Sequence, residues 1–231
     1  MVKLPSSWRY GERTGALLIS FIIGLLLIPH AEAIYHAKGS TVLEIRPRGA
    51  GTILENVVDK IQGIQNIATI ERYLLVKTKP HEVIGIEPGA PLRIISRDDE
   101  LLEGNIEMGR GFKKKDEGKN FAIVGKIYAE DYGEGMTGMT GMAGMKHSFS
   151  LGQSFKLKEA ETRTRVIGRL EVSPESEAQK VFLPLATAQK IYGMEGKFSR
   201  LFVTVKSPGD MDQVKRDLEA ALGGSMEVVS R

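Results

Sequence analysis

Four methionines recur at every third residue, Met136, Met139, Met142 and Met145, with Gly138, Gly141 and Gly144 among them and His147 just beyond. Thioether sulfur is a soft, neutral donor suited to Cu(I), and the His147 imidazole would add a nitrogen ligand. A spacing of three would align the sulfurs along a helix, but each interior glycine costs a helix about 1 kcal/mol. A loop wrapped around an ion is the better form for such a site. Two other readings stand beside it: a pliable methionine surface that meets a lipidic or apolar partner, and a glycine-rich loop of low complexity with no ligand. In each case residues 133–147 are expected to be the most mobile part of the body, because glycine resists regular structure. If the segment holds a metal, that metal is Cu(I) rather than Zn(II) or Mg(II), whose harder character matches sulfur poorly. Competition against a Cu(I) chelator tests this, with wild type compared to a variant in which all four methionines are leucine. Copper ligation predicts loss of affinity in the leucine variant, and equal affinity ends the idea. Thioethers do not titrate, so binding should hold from pH 5 to 7; a fall over that range would assign it to His147.

Other chemistry is hard to find in the chain. It has no cysteine, which excludes disulfide scaffolds, thiolate-bound zinc and thiol catalysis. No G-x-x-x-x-G-K-[ST] loop is present to cradle ATP phosphates. The four histidines, His30, His36, His81 and His147, are scattered, and neither H-E-x-x-H nor G-x-S-x-G occurs. Carboxylates alternate with Lys and Arg in the manner of a surface, and no acid/base pair stands out. An enzyme is not expected, and no catalytic or cofactor-binding residue is assigned.

The elements that must carry these residues begin at the N-terminus. Residues 16–28, ALLISFIIGLLLI, are free of charge, with Lys3, Arg9 and Arg13 before them and Ala31-Glu32-Ala33 after. Two readings follow: a signal peptide with an A-x-A cleavage site, or a membrane helix over 14–33 with 1–13 in the cytoplasm. Either one exports the body. Across 231 residues, 42% are hydrophobic and 26% charged, which describes a globular body. A net charge of +3 is too balanced to argue for nucleic acid.

Past the N-terminal run, residues 41–46 read as a strand. Ile53, Leu54, Val57, Val58, Ile61 and Ile64 recur at helical spacing, and Ile67–Lys77 is a β-branched and aliphatic run that predicts a strand. The C-terminus repeats the order. Residues 201–206 form a strand, 207–210 a capping-box start with proline in the first turn, and Met211, Val214, Leu218 and Leu222 one helix face. Gly223 and Gly224 stop that helix before a last strand, 226–230. Two β-α-β units of this kind make a four-stranded sheet with two helices on one face. Between them lie short strands at 83–86, 92–95, 121–124, 155–157, 164–172 and 181–183, with short helices at 126–132 and 186–192. The expectation is an α+β body in which 38–95 and 198–231 form one subdomain and 96–197 an inserted β-rich one. The charge run at 113–119, KKKDEGK, reads as a solvated turn, with a specific anionic site as the alternative.

The order of the central segments resembles a known family. The series VIGIEP (83–88), GRGF (109–112), FAIVGKIYAE (121–130), LGQSFKL (151–157), RVIGRL (165–170) and VFLPLATAQ (181–189) is similar to the periplasmic core domain of MacB-like ABC transporter permeases. That group includes lipoprotein-release and FtsX-like permeases. The resemblance implies a first membrane helix in the cell membrane and an extracytoplasmic domain with a porter-like part and a β-rich insert. It also implies a separate ABC ATPase subunit as partner, with a second permease copy completing a dimer. Cytoplasmic ATP hydrolysis would then drive export or extraction of a substrate outside the membrane, and the N-terminal run would be an anchor rather than a cleaved peptide. Three further membrane helices expected of such permeases do not follow Arg231 in this sequence, which reads either as a fragment of a longer permease or as a free-standing, single-anchor relative. The alternative is an exported binding or adaptor module, cleaved after Ala33, that works without an ATPase.

Overall fold

A computed structural model describes residues 41–78, 82–96, 98–125, 150–157, 160, 163–171 and 180–231. The membrane-helix or signal-peptide reading at 14–33, the short helix expected at 126–132 and the methionine segment 133–147 lie outside the described residues. No helix among the described residues is long and apolar enough to cross a membrane.

Strand β1, Val42–Pro47, alternates Leu43 and Ile45 on one face with Val42 and Glu44 on the other, and all four are buried. A strand with both faces buried must be covered twice, and this requirement organises the body. The next apolar pair departs from the expected helix: Ile53–Leu54 is a two-residue strand, β2, and helix α1 begins after it, at Glu55–Ile61. Two adjacent apolar residues fit either period, and pairing with a later strand decides the case. Strand β3, Ile67–Lys77, has the expected bounds.

The middle of the chain supplies β4 (Glu82–Ile86), β5 (Arg93–Ile95), β6 (Leu101–Glu103), β7 (Asn105–Gly109), β8 (Phe121–Val124), β9 (Ser154–Phe155), β10 (Thr164–Glu171) and β11 (Lys180–Pro184). Helix α2, Leu185–Tyr192, ends at Gly193 in the left-handed conformation, φ 62°. Then come β12 (Lys197–Phe198), β13 (Arg200–Val205), helix α3 (Met211–Leu222) and β14 (Met226–Ser230). Before α3, Pro208–Asp210 forms a 3-10 turn in which Ser207 Oγ accepts from Gly209 N at 3.3 Å, in place of the reciprocal capping box.

One sheet runs in the order β14-β1-β13-β3-β4-β11-β8-β10-β7, with β9 beside β10. Its first four strands form two split β-α-β units, because β13 lies between β1 and β3 and β1 lies between β13 and β14. This is the ferredoxin-like arrangement. The sheet does not stop at the edge of the expected insert. Strand β3 pairs β13 through Ile67 to Tyr73 and β4 through Tyr73 to Lys77, so one long strand belongs to both halves. Parallel pairing of β4 with β11, Lys180 to Pro184 opposite Glu82 to Ile86, then carries the sheet into β8, β10 and β7.

The helices lie on one face. Val58 and Ile61 of α1 and Val214 and Leu218 of α3 share a core with Leu43, Ile45, Leu201 and Val203. Helix α2 joins the same core through Leu185 and Ala188, and the close approach needs Gly85, where an added Cβ would stand 2.7 Å from Ala188 Cβ. The opposite face is closed by the β5–β6 hairpin and its flanks. Leu92 and Ile94 pack with Tyr73, Ile84, Phe182 and Phe202, and Tyr73 meets Phe202 edge-on at 4.8 Å.

Candidate functional site

Two places on this scaffold concentrate polar groups that packing alone does not require. The first is on the hairpin-covered face, where the period of β1 turns Glu44 inward. Glu44 is fully buried and faces two guanidinium groups, Arg200 Nε at 2.6 Å from Oε1 and Arg231 Nη2 against Oε2. Arg231 also reaches Asp99 at 3.0 Å, in the turn of the β5–β6 hairpin. Asp99 in turn holds Arg46 at 3.2 Å, and Arg46 reaches Glu227 at 2.8 Å. The chain of charges therefore fastens β1, β13, β14 and the hairpin together. The hydrogen bond from Arg231 holds the Asp99 carboxyl below its ordinary range, and the bond from Arg46 does the same for Glu227. Deeper under the hairpin, Arg93 stands 3.3 Å from Glu71 and 5.2 Å from the Phe202 ring centroid. Burial pushes the Glu71 carboxyl up, against the opposing pull of Arg93.

The second place is a cleft of about 320 Å³ at the far end of the sheet, where β7, β8 and β10 meet. Its lining includes Arg110, Phe121, Leu151, Gly152, Arg165 and Ile167. The walls are set by backbone bonds: Gly152 N to Val166 O at 2.8 Å, Arg165 N to Asn120 O at 2.8 Å and Arg110 N to Ile167 O at 3.0 Å. Arg110 Cζ and Lys119 Nζ each lie 5.9 Å from the centroid of the Phe121 ring, within cation–π range. Leu151 is 43% exposed at the rim, a large apolar side chain left facing water.

The charge run at 113–119 lies beside this cleft and is not wholly solvated. Its lysines are exposed, but Asp116 is buried in a 3-10 turn, Lys114–Asp116. Arg110 binds both its carboxylate oxygens, and Lys113 N donates to Oδ2 at 2.9 Å. The hydrogen bond from Arg110, aided by Lys113 N, brings the Asp116 carboxyl down to about 2. A depressed folded-state value means stability that is fully present above about pH 4 and is lost as pH falls towards 2. Replacing Asp116 with Asn should cost roughly 1.5–3 kcal/mol at neutral pH. The variant's acid-unfolding curve should also flatten between pH 4 and 2; an unchanged curve would show that the pair adds nothing.

The sequence-derived candidates Met136, Met139, Met142, Met145 and His147 all lie outside the described residues. Among the described residues no group of three or more His, Asp or Glu is arranged to hold a metal. The cleft itself went unread in the sequence. Its residues come from four separated segments, each of them within the series that resembles the family, but nothing in that series joins them into one site.

A sequence profile of the MacB-like periplasmic core domain matches residues 31–221. Among solved structures, the periplasmic region of MacB from Actinobacillus actinomycetemcomitans is similar with a TM-score of 0.57 and 10% identity, covering 85% of this chain and 92% of that one. The extracellular domain of the noncanonic ABC-type transporter YknZ from Gram-positive bacteria is similar with a TM-score of 0.54 and 15% identity, covering 82% of this chain and all of the other. At these identities the likeness is one of fold. No curated protein matches the chain by sequence.

Proposed function

We propose a function from one premise: the chain belongs to the MacB-like periplasmic core domain family. The protein is the extracytoplasmic body of an ABC-type transporter permease, held in the cell membrane by its N-terminal apolar run. A separate ATPase subunit supplies the energy, a second permease copy completes the assembly, and the substrate is exported or extracted outside the membrane. The family match over residues 31–221 carries this reading.

The fold supports it mechanically. Arg231 N donates to Val42 O at 3.0 Å, so the start of β1 and the end of β14 lie side by side. A membrane helix ahead of residue 41 would pull on β1 where the Glu44 network ties it to β13 and β14. Beyond that point the sheet is unbroken as far as β7. A hydrogen-bonded sheet packed on both faces resists local deformation, so a displacement at one end reaches the cleft at the other.

Co-purification tests the reading. The native full chain, extracted in mild detergent, should bring down an ABC ATPase subunit and should hydrolyse no ATP by itself, since it has no phosphate-cradling loop. Stoichiometric turnover by the chain alone would overturn this. A chain cleaved after Ala33, released from the membrane and free of any ATPase would favour the exported adaptor module.

A further inference from the structure

We propose that the cleft between β7, β8 and β10 binds a carboxylate carried on an apolar body, with Arg165 as the partner of the anion. Two arginines line the cleft, Arg110 and Arg165, with Lys119 beside Phe121 and the buried Asp116 behind Arg110, and the cations are not equivalent. Arg110 is committed to Asp116, which fixes its position beside Phe121. Lys119 lies at the same distance from the ring. Arg165 is exposed, and among the described residues no side chain neutralises it. Its guanidinium lies along Gly152, where an added Cβ would come within 3.3 Å of Nη2. Gly152 has φ 84°, so the turn that makes room for Arg165 also has a backbone that glycine adopts at least cost.

The rest of the lining asks for something other than a bare ion. Phe121, Leu151 and Ile167 give apolar walls, and the exposed Leu151 gains from being covered. A volume of about 320 Å³ is at the small end of ligand pockets, which run from roughly 300 to 1,000 Å³. An inorganic anion would leave those walls wet, and a neutral apolar molecule would leave the Arg165 charge unused. A planar guanidinium takes a carboxylate through two parallel hydrogen bonds, and the ring of Phe121 takes the apolar part. This assignment stands apart from the permease reading, because it concerns binding by the chain with no ATPase present.

The test uses the full chain in phosphatidylcholine nanodiscs and two probes of nearly the same shape, 2-naphthoate and its neutral counterpart 2-naphthalenemethanol. Equilibrium dialysis measures retention, with empty nanodiscs subtracted. Wild type should retain the carboxylate at least tenfold more strongly than the alcohol. Arg165→Gln should bring the two within about twofold, Arg165→Lys should restore part of the preference, and Leu151→Asn should weaken both probes together. Both positions are exposed, and unchanged far-UV circular dichroism confirms that the variants fold. Retention no greater than that of empty nanodiscs would overturn the proposal. So would naphthoate binding that is unchanged in Arg165→Gln.

Discussion

Replacing Glu44 with glutamine is expected to destabilise the body by about 3–5 kcal/mol, among the largest losses any single side chain here should give. The carboxylate has no exposure to water and faces Arg200 and Arg231 together. Glutamine keeps the shape but removes the only charge that these two guanidinium groups share. They would then face one another across a buried site, and neither can give up its proton. The outer end of the same network provides the control. Glu227 is 43% exposed and its ion pair with Arg46 is open to water, so Glu227→Gln should cost far less than Glu44→Gln. Urea unfolding followed by circular dichroism separates the two. A loss below about 1 kcal/mol for Glu44→Gln would mean that the network does not fasten β1 to β13 and β14.

Gly109→Ala should be the most damaging change at the other end of the sheet. Gly109 pairs with Gly168 across β7 and β10, and its φ of 84° already disfavours any side chain. An added Cβ would lie 2.2 Å from Ile167 O and 2.8 Å from Leu151 Cδ2. The leucine can rotate away, but the carbonyl cannot move without breaking the bond it accepts from Arg110 N. Left-handed backbone costs about 1–2 kcal/mol for a residue with a Cβ, and overpacking adds about 1–3 kcal/mol. Gly89→Ala isolates the first of these, because Gly89 has φ 96° and nothing within 4 Å of the added atom. The Gly109 variant should therefore lose clearly more stability than the Gly89 variant, and its cleft should lose naphthoate. Equal losses would show that the β7–β10 contact yields easily.

The ferredoxin-like part was legible because its signals are local. The β-branched run of β3 and the 3-4 spacing of Met211, Val214, Leu218 and Leu222 each need only one element to be read. Strand β2 was lost because Ile53 and Leu54 suit a helix face until β12 pairs with them. Strand β7, NIEMG, has a single β-branched residue and leaves most of its side chains exposed, so neither composition nor alternation marked it. Glu44 shows the same limit from the other side. Alternation correctly separates it from Leu43 and Ile45, but only the β5–β6 hairpin, drawn from fifty residues away, makes its face an interior one. Asp116 sits in a run of charges with nothing local to set it apart, and Arg110 selects it from a distance of six residues. The cleft is hardest of all, since its lining exists only once β7, β8 and β10 are side by side.

The side of the membrane on which the body stands is the most direct test of the whole account. The chain has no cysteine, so a single introduced thiol reports its own position without background. Lys115→Cys and Lys190→Cys place that thiol at two exposed sites, one beside the cleft and one on α2. A membrane-impermeant maleimide added to intact spheroplasts should label both variants fully, with no increase on permeabilisation. Labelling that appears only after the membrane is opened would place the body in the cytoplasm and contradict the permease reading.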